Sequence, residues 1–533
     1  MYCDKINVNQ LTSLLVAHGL REVVVCPGSR NAIMAHNFDA CPVLSCYPIT
    51  DERSAAFFAL GLAQAVGRPV AVCVTSGSAL LNTLPAVAEA YYQGVPLLII
   101  SADRPTAWIG QLDGQTLPQV GALGKFVSRC VHLPEPTNNE DKWYCNRLIN
   151  DALLSLHQNH TPVHINVPIS EPLFCFNTPQ LPIERVMRSY ALPLEARLPS
   201  EIIEKLNHAH QPLLIIGQLP PQDEALRAAL LRLDEEYKIL VLPELLSNLS
   251  PAERMAMIEH AIPDCLRNTD YVIYVGGTLV GKELKKMLRQ LPSVEVLRIT
   301  ERDEEFSDTF CHSTQFLYAP VKQALLALCS ALNSISSKES VKTLRTLLRP
   351  IAPVHTSFTY DAFHRIVESI NALPPNRVVL HLANSSVVRL AARILHNPFY
   401  PVFCNRGVNG IEGSLSTAAG YSIGTSRITI CFIGDLSFFY DANALWNHNL
   451  RSNLRIVLIN NGCGDIFHHL AGLEQSPALH SLVAATHTTT ACGIAATYGI
   501  HYFPVSNLKD LDAVLPQFLG DATVPQLLEL FTK

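Results

Sequence analysis

The chain has 533 residues, too many for one hydrophobic core, which indicates about three domains of roughly 150 residues each. Hydrophobic residues make up 48% of the chain, yet no run approaches the ~18 apolar residues of a membrane span, so we expect a soluble globular protein without a membrane partner. The net charge is -6 and no basic run is present, which excludes nucleic-acid binding through a phosphate-neutralising surface.

The amino terminus and the cysteines indicate where the protein works. The opening stretch MYCDKINVNQLTSLL carries an acidic residue and no long apolar segment after a basic one, unlike a secretory signal peptide. The 15 cysteines are an odd number, and Cys26, Cys73 and Cys431 lie inside apolar runs, where cysteine acts as a small hydrophobe. We therefore expect a reducing, cytoplasmic location.

Short apolar runs rich in β-branched residues alternate with helix-like stretches along the chain. Continuous apolar strands of this kind are typical of parallel sheets that are covered on both faces. The pattern predicts an α/β protein with three doubly wound parallel-sheet domains, at 1–180, 195–335 and 355–533. Linker-like composition at 177–200 and 333–355 sets these boundaries. The predicted strands are 22–26, 69–74, 95–101, 212–217, 238–243, 271–277, 377–383, 427–434 and 455–461.

Four arginines lie at or just beyond predicted strand ends. The rigid fork of arginine pairs bidentately with carboxylates, so this placement suits anionic substrates. The alternative for each arginine taken singly is a surface salt bridge. The motifs are CPGSR with Ser29 and Arg30, SADRP with Arg104, ANSSVVRL with Ser385 and Arg389, and NRGVNGIEG with Arg406.

Glu52, in the stretch YPITDERSAAFFALGLA, follows a short extended segment and is predicted in the first turn of a helix. An acidic residue at this position stabilises the helix dipole, which is the structural alternative to a catalytic role. The position alone leaves both interpretations open.

The central stretch GGTLVGKE nearly spells a phosphate-binding loop. Glu283 stands where the Mg²⁺-binding hydroxyl of such a loop belongs, and a carboxylate there would repel phosphates. Nucleotide hydrolysis is therefore disfavoured.

Asp435 follows the apolar strand TICFIG, and Asn460-Asn461 follow the next apolar strand, RIVLI. Ligands of an open parallel sheet bind beyond the carboxyl ends of its strands. Carboxylate, amide and carbonyl oxygens are the ligands that Mg²⁺ prefers, and phosphates commonly complete its coordination. The alternative is a helix cap at Asp435 and a simple turn at the asparagines.

The Gly-Asp pair, the spacer and the Asn-Asn pair resemble the signature of the thiamin diphosphate-dependent enzymes. Leu436 replaces the usual second glycine, which resembles one branch, the MenD-type 2-succinyl-5-enolpyruvyl-6-hydroxy-3-cyclohexene-1-carboxylate synthases of menaquinone biosynthesis. The resemblance implies that Asp435, Asn461 and the carbonyl of Cys463 hold Mg²⁺ or Mn²⁺. It further implies a cofactor site with Gly434, Leu436, Ser437 and an apolar wedge at Ile411.

The same resemblance extends to DERSAAFFALGLA and to residues 74–105, and it assigns Glu52 to the catalytic glutamate that activates the aminopyrimidine of the cofactor. It implies that substrate dicarboxylates bind Ser29, Arg30, Arg104, Gln115, Ser385, Arg389 and Arg406, and that Ile466, Phe467 and Leu470 line an apolar wall. A core role is the alternative for these apolar residues and for Ile411. Gly114 and Glu283 depart from the family pattern, Lys282 matches a basic residue of it, and His468-His469 are expected to be solvated.

The implied architecture is a pyrimidine-binding domain, a central domain with a degenerate cofactor pocket and a diphosphate-binding domain, assembled as a homodimer or homotetramer. The implied reaction is decarboxylation of 2-oxoglutarate followed by 1,4-addition of the succinic-semialdehyde unit to isochorismate. Two alternatives remain: an acetohydroxyacid-synthase-like or 2-oxoacid-decarboxylase-like enzyme on the same fold, and a non-catalytic scaffold that retains it.

Overall fold

Three parallel sheets make up the framework of the described residues, which confirms the predicted fold class. No helix among these residues is long and apolar enough to cross a membrane. The computed structural model describes residues 1–190, 198–221, 224–237, 239–249, 264–301, 306–332, 357–395 and 399–532.

The chain divides into two compact units. The first comprises residues 1–191, 381–384 and 405–533, and the second comprises residues 192–380 and 385–404. The first sheet lies in the first unit and the central sheet in the second. The three domain boundaries given above stay a prediction, and the proposed linker at 333–355 lies outside the described residues.

The first sheet has the strand order β2-β1-β3-β4-β6-β5. Its inner strands β1, β3 and β4 are the apolar runs predicted from the sequence, and apolar clusters cover both of its faces. Its elements are α1 Ile6–Ala17, β1 Glu22–Val25, α2 Ala32–Asp39, β2 Ser45–Pro48, α3 Glu52–Val66, β3 Val70–Val74, α4 Ser78–Asn82, α5 Leu84–Gln93, β4 Leu97–Asp103, β5 Arg129–His132, α6 Asn139–Asn159 and β6 Val163–Pro168.

The central sheet has the order β11-β10-β9-β7-β8, with separate apolar clusters on its two faces. Its elements are α7 Ser200–His208, β7 Pro212–Ile216, α8 Glu224–Glu235, β8 Leu240–Pro243, β9 Tyr271–Val275, α9 Glu283–Arg289, β10 Glu295–Thr300, β11 Ser313–Tyr318 and α10 Val321–Ala331.

The third sheet has the order β13-β12-β14-β15-β17-β16. Strands β14 and β15 pair in parallel with Gly434 opposite Ile459, so the residues that follow them emerge side by side. The elements are α11 Phe358–Asn371, β12 Val378–Leu382, α12 Ser386–Ile394, β13 Val402–Cys404, α13 Ser414–Ile423, β14 Ile428–Gly434, α14 Asp435–Tyr440, β15 Leu454–Asn460, α15 Cys492–Thr497, β16 His501–Val505, α16 Leu508–Leu519 and β17 Gln526–Phe531.

Helices α3 and α13 pack with their backbones in contact. A Cβ atom on Gly61 of α3 would lie 1.8 Å from the carbonyl oxygen of Thr417, and one on Gly420 of α13 would lie 1.9 Å from that of Phe58. Only glycine fits at either position, because neither backbone can yield without moving its helix. This pair of helices links the first sheet to the third within the first unit.

A buried carboxylate lies beside this helix pair. Asp441 accepts hydrogen bonds from the backbone nitrogen and the hydroxyl of Ser416, both at 2.8 Å, and the same hydroxyl lies 3.1 Å from the hydroxyl of Ser54. Burial raises the pKa of Asp441 to about 6, from its ordinary value of 3.8, although both bonds from Ser416 oppose the shift. In the folded protein Asp441 is therefore mainly protonated below about pH 6 and mainly ionised above it.

We expect the pH dependence of stability to change in Asp441→Asn. Because the pKa of Asp441 is higher in the folded state, this residue contributes stability that is complete below about pH 4 and is lost as the pH rises through about 6. Two pKa units correspond to roughly 3 kcal/mol. Thermal melts of the wild type and the variant from pH 4 to 7 should show the advantage of the wild type shrinking over this window, and a constant difference between the two would contradict the assignment.

Candidate active site

Asp435 lies at the carboxyl end of β14 and is the first residue of helix α14. Its side chain is only 3% exposed. One carboxylate oxygen accepts the backbone N–H of Leu436 at 2.7 Å, and the other accepts those of Asn461 at 3.1 Å and Gly462 at 2.7 Å. The carboxylate thus connects the ends of two adjacent strands.

The electrostatic environment of Asp435 favours a nearby positive charge. Burial raises the pKa of its carboxyl, and the amide donors of Leu436 and Gly462 only partly oppose this. The ring nitrogen Nε2 of His487 lies 3.4 Å from the carboxylate and, like the amides, lowers the pKa of Asp435. A divalent cation at this carboxylate would further offset the cost of burying its charge.

The two asparagines after β15 have different contacts. The amide nitrogen of Asn460 donates to Glu529 at 2.7 Å and to the carbonyl of Thr489 at 2.9 Å, so this side chain joins the sheet interior. The amide oxygen of Asn461 accepts the backbone N–H of Cys463 at 3.1 Å, which shapes the turn beyond the strand. Of the two asparagines, Asn461 is therefore the one whose side chain lies in the turn beside Asp435.

The donor set at this edge fits Mg²⁺ and a diphosphate. Asp435, Asn461 and the backbone carbonyl of Cys463 supply three oxygen types that hard cations bind, and the Oδ1 atom of Asp435 accepts only the hydrogen bond from Leu436 among those described. A Cβ atom on Gly434 would meet no atom within 4 Å, so the strand end is open on that side. The hydroxyl of Ser437 donates to the carbonyl of Ile411, which holds the predicted apolar wedge beside the same helix start.

Leu436 lies close to the turn after β15. A Cβ atom on Gly464 would lie 3.2 Å from the side chain of Leu436 and 2.8 Å from the ring of Phe467. Of the three predicted wall residues, Ile466 and Phe467 are half-buried and Leu470 is exposed. His468 and His469 are exposed, as predicted.

Glu52 begins α3 at the position predicted for it. Asp51 caps the helix by accepting the backbone N–H groups of Arg53 and Ser54, which leaves the Glu52 side chain without a capping duty. The carboxylate of Glu52 is half-buried and accepts a hydrogen bond from the side chain of Asn82 at 3.1 Å.

Arg30 lies in the turn after β1 and is buried, whereas the adjacent Ser29 is exposed. The guanidinium donates to the carbonyl of Ile169 at 3.0 Å and lies 3.4 Å from the exposed carboxylate of Glu171. The backbone of Ile169 therefore holds one side of the Arg30 guanidinium, and an exposed carboxylate lies on the other.

Arg104 and Gln115 lie on the segment between β4 and β5. The guanidinium of Arg104 is 3.6 Å from the carboxylate of Asp113, and both groups are partly exposed. Gln115 has a left-handed backbone with φ 56°, and its backbone packs 3.1 Å from the position of a Cβ atom on Gly77. Gly114 is exposed and a Cβ atom there would meet nothing, so the departure from the family pattern removes a surface side chain only.

Arg406 is 7% exposed and donates to the side chain of Asn384 at 3.2 Å. The next two backbone N–H groups, of Gly407 and Val408, each donate at 2.7 Å to the buried carboxylate of Glu89 on α5. Burial raises the pKa of Glu89, and these donors oppose the shift. Glu89 thereby fixes the backbone that carries Arg406.

Ser385 and Arg389 lie in the second unit, at the start of α12. Ser385 has φ 72°, and its carbonyl accepts a hydrogen bond from the guanidinium of Arg389 at 2.8 Å. The backbone of one predicted substrate residue therefore orients the side chain of the other.

The loop that resembles a phosphate-binding loop already holds an anion of the protein. The carboxylate of Glu244, which is 1% exposed, accepts the backbone N–H groups of Val280 at 2.7 Å and Gly281 at 2.9 Å. Lys282 and Glu283 are exposed at the start of α9. A phosphate would have to displace Glu244, which agrees with the argument against nucleotide hydrolysis.

No local sequence pattern marks three residues that shape the candidate site. His487 contacts Asp435 although it is far from it in the chain. The local sequence around Glu89 is that of an ordinary surface helix, and asparagine at position 384 is a common turn residue. Their roles depend on contacts between segments far apart in the chain, which no local pattern encodes.

Comparison with known proteins agrees with this geometry. Residues 8–122 match the family described as "Thiamine pyrophosphate enzyme, N-terminal TPP binding domain", and residues 386–530 match the corresponding C-terminal TPP binding domain. A thiamin diphosphate-dependent enzyme from Mycobacterium smegmatis has the same fold with a TM-score of 0.75 at 20% identity, covering 99% of this chain and 100% of that one. A 4-hydroxybenzoylformate decarboxylase from Rhodococcus jostii gives 0.73 at 19% identity, with 99% of each chain covered. The fold and the matched domains define a thiamin diphosphate-binding enzyme.

Full-length relatives narrow this class. The 2-succinyl-5-enolpyruvyl-6-hydroxy-3-cyclohexene-1-carboxylate synthase of Bacteroides thetaiotaomicron is 43% identical over 100% of this chain and 97% of that protein. Synthases of the same name from Flavobacterium johnsoniae and Porphyromonas gingivalis are 34% and 33% identical, over 97% and 100% of this chain and 94% and 95% of those proteins. The chain belongs to the 2-succinyl-5-enolpyruvyl-6-hydroxy-3-cyclohexene-1-carboxylate synthase family.

Proposed function

We propose that this protein is a transferase of menaquinone biosynthesis that decarboxylates 2-oxoglutarate and adds the resulting four-carbon unit to isochorismate. The observation that carries the proposal is the full-length match to synthases of that name, in a chain with Asp435, Asn461 and Glu52 at the motif positions. Bound thiamin diphosphate supplies the electron sink that allows a 2-oxo acid to lose CO₂.

The edge formed by β14 and β15 would hold the cofactor through its diphosphate. Asp435, Asn461 and the Cys463 carbonyl would bind Mg²⁺ or Mn²⁺, and Gly434, Leu436 and Ser437 would border the diphosphate. The contacts of Asp435 with two strand ends support this role, because they fix the carboxylate before any ligand arrives. Ile411 would support the thiazolium ring.

Glu52 would act on the aminopyrimidine of the cofactor. A carboxylate hydrogen-bonded to the ring nitrogen of the pyrimidine would favour the tautomer that carries a proton on this nitrogen and whose imino nitrogen can remove the proton from the reactive carbon. Two contacts support this role. Asp51 already caps the helix, so Glu52 is not needed as a cap, and the side chain of Asn82 donates a hydrogen bond to the Glu52 carboxylate.

The arginines and their neighbours would bind the carboxylates of the two substrates. Arg406 and Arg389 are oriented by Asn384 and by the Ser385 carbonyl, and a preoriented guanidinium loses little further freedom when it binds an anion. Ser29, Arg30, Arg104 and Gln115 would contribute from the first sheet, and Ile466, Phe467 and Leu470 would contact the ring of isochorismate.

We further propose that the protein is a cytoplasmic homodimer or homotetramer in which the pyrimidine-binding domain of one subunit meets the diphosphate-binding domain of another. Large apolar side chains exposed in the first unit support an assembled state: Leu112 is 100% exposed, Trp108 55% and Tyr440 53%. The cysteines whose side chains the structure describes are free thiols, which suits a reducing compartment. Light scattering after size exclusion measures the assembly.

Product analysis tests the proposed reaction. The protein is incubated with thiamin diphosphate, Mg²⁺ and 2-oxoglutarate, with and without isochorismate, and CO₂ and products are followed by mass spectrometry. The expected result is CO₂ release and a new adduct of isochorismate. Turnover of pyruvate in place of 2-oxoglutarate would favour an acetohydroxyacid-synthase-like or decarboxylase activity, and no turnover of either would favour a non-catalytic scaffold.

Replacement of the substrate arginines should impair turnover without loss of the cofactor. Losing one partner of a desolvated charged pair costs about 2 to 5 kcal/mol, so Arg389→Ala and Arg406→Ala should lower kcat/KM by roughly 30- to 5000-fold. Steady-state kinetics with both substrates and calorimetry with thiamin diphosphate separate the two effects. Arg232→Ala is the control, because Arg232 pairs with Glu236 on the half-exposed face of α8.

One outcome would contradict the proposed role of the arginines. If Arg30→Ala, Arg104→Ala, Arg389→Ala and Arg406→Ala all keep wild-type kinetics with both dicarboxylates, the assignment of these residues is wrong.

A further inference from the structure

A row of polar side chains crosses the core of the first sheet. The strand register places Ser101 of β4 and His132 of β5 opposite Asn166 of β6. Ser101 and Asn166 are fully buried. Burying polar groups is costly unless each one is hydrogen-bonded. A row of hydrogen-bonded polar side chains inside a sheet therefore indicates a specific role.

The orientation of this network can be read from its backbone contacts. Gln119 accepts the backbone N–H of Gly77 at 2.7 Å and donates to the carbonyl of Ala102 at 3.0 Å, which fixes which end of its amide is the donor. That donor lies 2.7 Å from the side-chain oxygen of Asn166. The side-chain nitrogen of Asn166 must therefore be the donor to its remaining partners.

Those partners are the carboxylate of Asp103 at 2.8 Å and the Nδ1 atom of His132 at 2.9 Å. Because Nδ1 accepts, the neutral imidazole carries its proton on Nε2, which lies 3.2 Å from the hydroxyl of Thr106. Burial lowers the pKa of His132, with Asp103 opposing, and so favours the neutral ring.

Three contacts of Asn166 thus lead to one segment, residues 104–119, which we call the substrate loop. Asp103 accepts the backbone N–H of Arg104 at 2.8 Å, where the loop begins. His132 reaches Thr106. Gln119 ends the loop and holds Gly77, whose α-carbon faces the left-handed backbone of Gln115.

We propose that Asn166 is a positioning residue for substrate binding: its amide fixes both ends of the substrate loop and thereby places Arg104 and Gln115 for the carboxylate of a dicarboxylate substrate. The proposal rests on the proposed function for the identity of the substrate. Asn166 itself lies in the sheet interior and acts only through Asp103, His132 and Gln119.

Asn166→Asp tests this role, because it keeps the oxygen that Gln119 and Ser101 face but replaces the donor with an acceptor opposite Asp103 and His132. We expect the KM of at least one dicarboxylate to rise tenfold or more, kcat to stay within about threefold, and the affinity for thiamin diphosphate to be unchanged. Amide hydrogen exchange of the substrate loop, measured by mass spectrometry, should be at least tenfold faster.

Two further variants separate positioning from general stability. Gln119→Glu keeps the acceptor for Gly77 but loses the donor to Asn166, so it should reproduce the effects on KM and on loop exchange, even if Asn166→Asp fails to fold. Ser101→Ala removes the bond between Ser101 and Asn166 on the side away from the loop. It should lower the melting temperature and leave KM and loop exchange as in the wild type.

Nitrogen NMR of the histidine rings gives a readout that needs no substrate. The wild type should show His132 as the neutral Nε2–H tautomer, and Asn166→Asp should lose that signature. Unchanged KM and loop exchange in a folded Asn166→Asp, or a wild-type His132 protonated on Nδ1, would overturn the proposal. A wild-type protein that turns over neither dicarboxylate would instead refute the proposed function, while loop exchange and the tautomer would still decide the role of Asn166.

Discussion

Glu52→Gln is expected to fold and assemble as the wild type does, while its turnover with 2-oxoglutarate falls by roughly 10² to 10⁴ fold, the contribution of a positioned general acid-base. Glutamine keeps the size of the side chain and its contact with Asn82, but its amide cannot exchange a proton with the pyrimidine ring. Exchange of the C2 proton of the cofactor should slow with turnover. NMR of the quenched cofactor measures that exchange.

The competing explanation for Glu52 is a helix-dipole role, which predicts a stability loss of about 0.3 to 1 kcal/mol with chemistry untouched. Glu140→Gln is the matched control, since Glu140 occupies the first turn of α6. A melt that is lowered in both variants, together with wild-type C2 exchange in Glu52→Gln, would show that Glu52 is an ordinary helix start.

Replacing Asp435 should abolish cofactor binding under ordinary assay conditions. Loss of a charged partner in a desolvated site costs about 2 to 5 kcal/mol, which corresponds to roughly 30- to 5000-fold in Kd. We expect this loss in Asp435→Asn, which preserves an acceptor for the strand-end amides, and in Asp435→Ala. Calorimetry with thiamin diphosphate and Mg²⁺ measures it.

Asp441→Asn provides the control for Asp435, because Asp441 is a buried carboxylate of the same segment whose partners are Ser416 and not the strand ends. Wild-type affinity for thiamin diphosphate in Asp435→Asn would remove Asp435 from the site. Equal losses in both aspartate variants would point to a disturbed fold.

The sequence predicted the inner strands β1, β3, β4, β7, β9, β12, β14 and β15 and the edge strand β8, because burial on both faces favours nearly continuous apolar runs. It missed the edge strands β2, β5, β11, β13 and β16, which are short or carry polar residues. It also missed the inner strands β10, β17 and β6, although every residue of β6 is buried. His164 and Asn166 interrupt its apolar run, and only the three-dimensional network shows how their polar atoms are satisfied.

Candidate site residues could be proposed from the sequence where a local motif carries them. Asp435, Asn461 and Glu52 each follow a strand or begin a helix, and short patterns mark these positions. The residues that orient them could not be predicted, because His487 and Glu89 meet their partners across long separations in the chain. A carboxylate or imidazole at such a position has the same local sequence context whether it lies on the surface or holds a loop.

The close backbone contacts of Gly61 with Thr417 and of Gly420 with Phe58 have a consequence for how variants of this protein would be classified. Two hydrogen atoms, one on each glycine, set the spacing of α3 and α13, and α3 carries Glu52 at its start. Any side chain at either glycine would push the helices apart and shift that carboxylate. A survey of substitutions scored by turnover would therefore group Gly61 and Gly420 with the functional residues, although both lie within a helix interface.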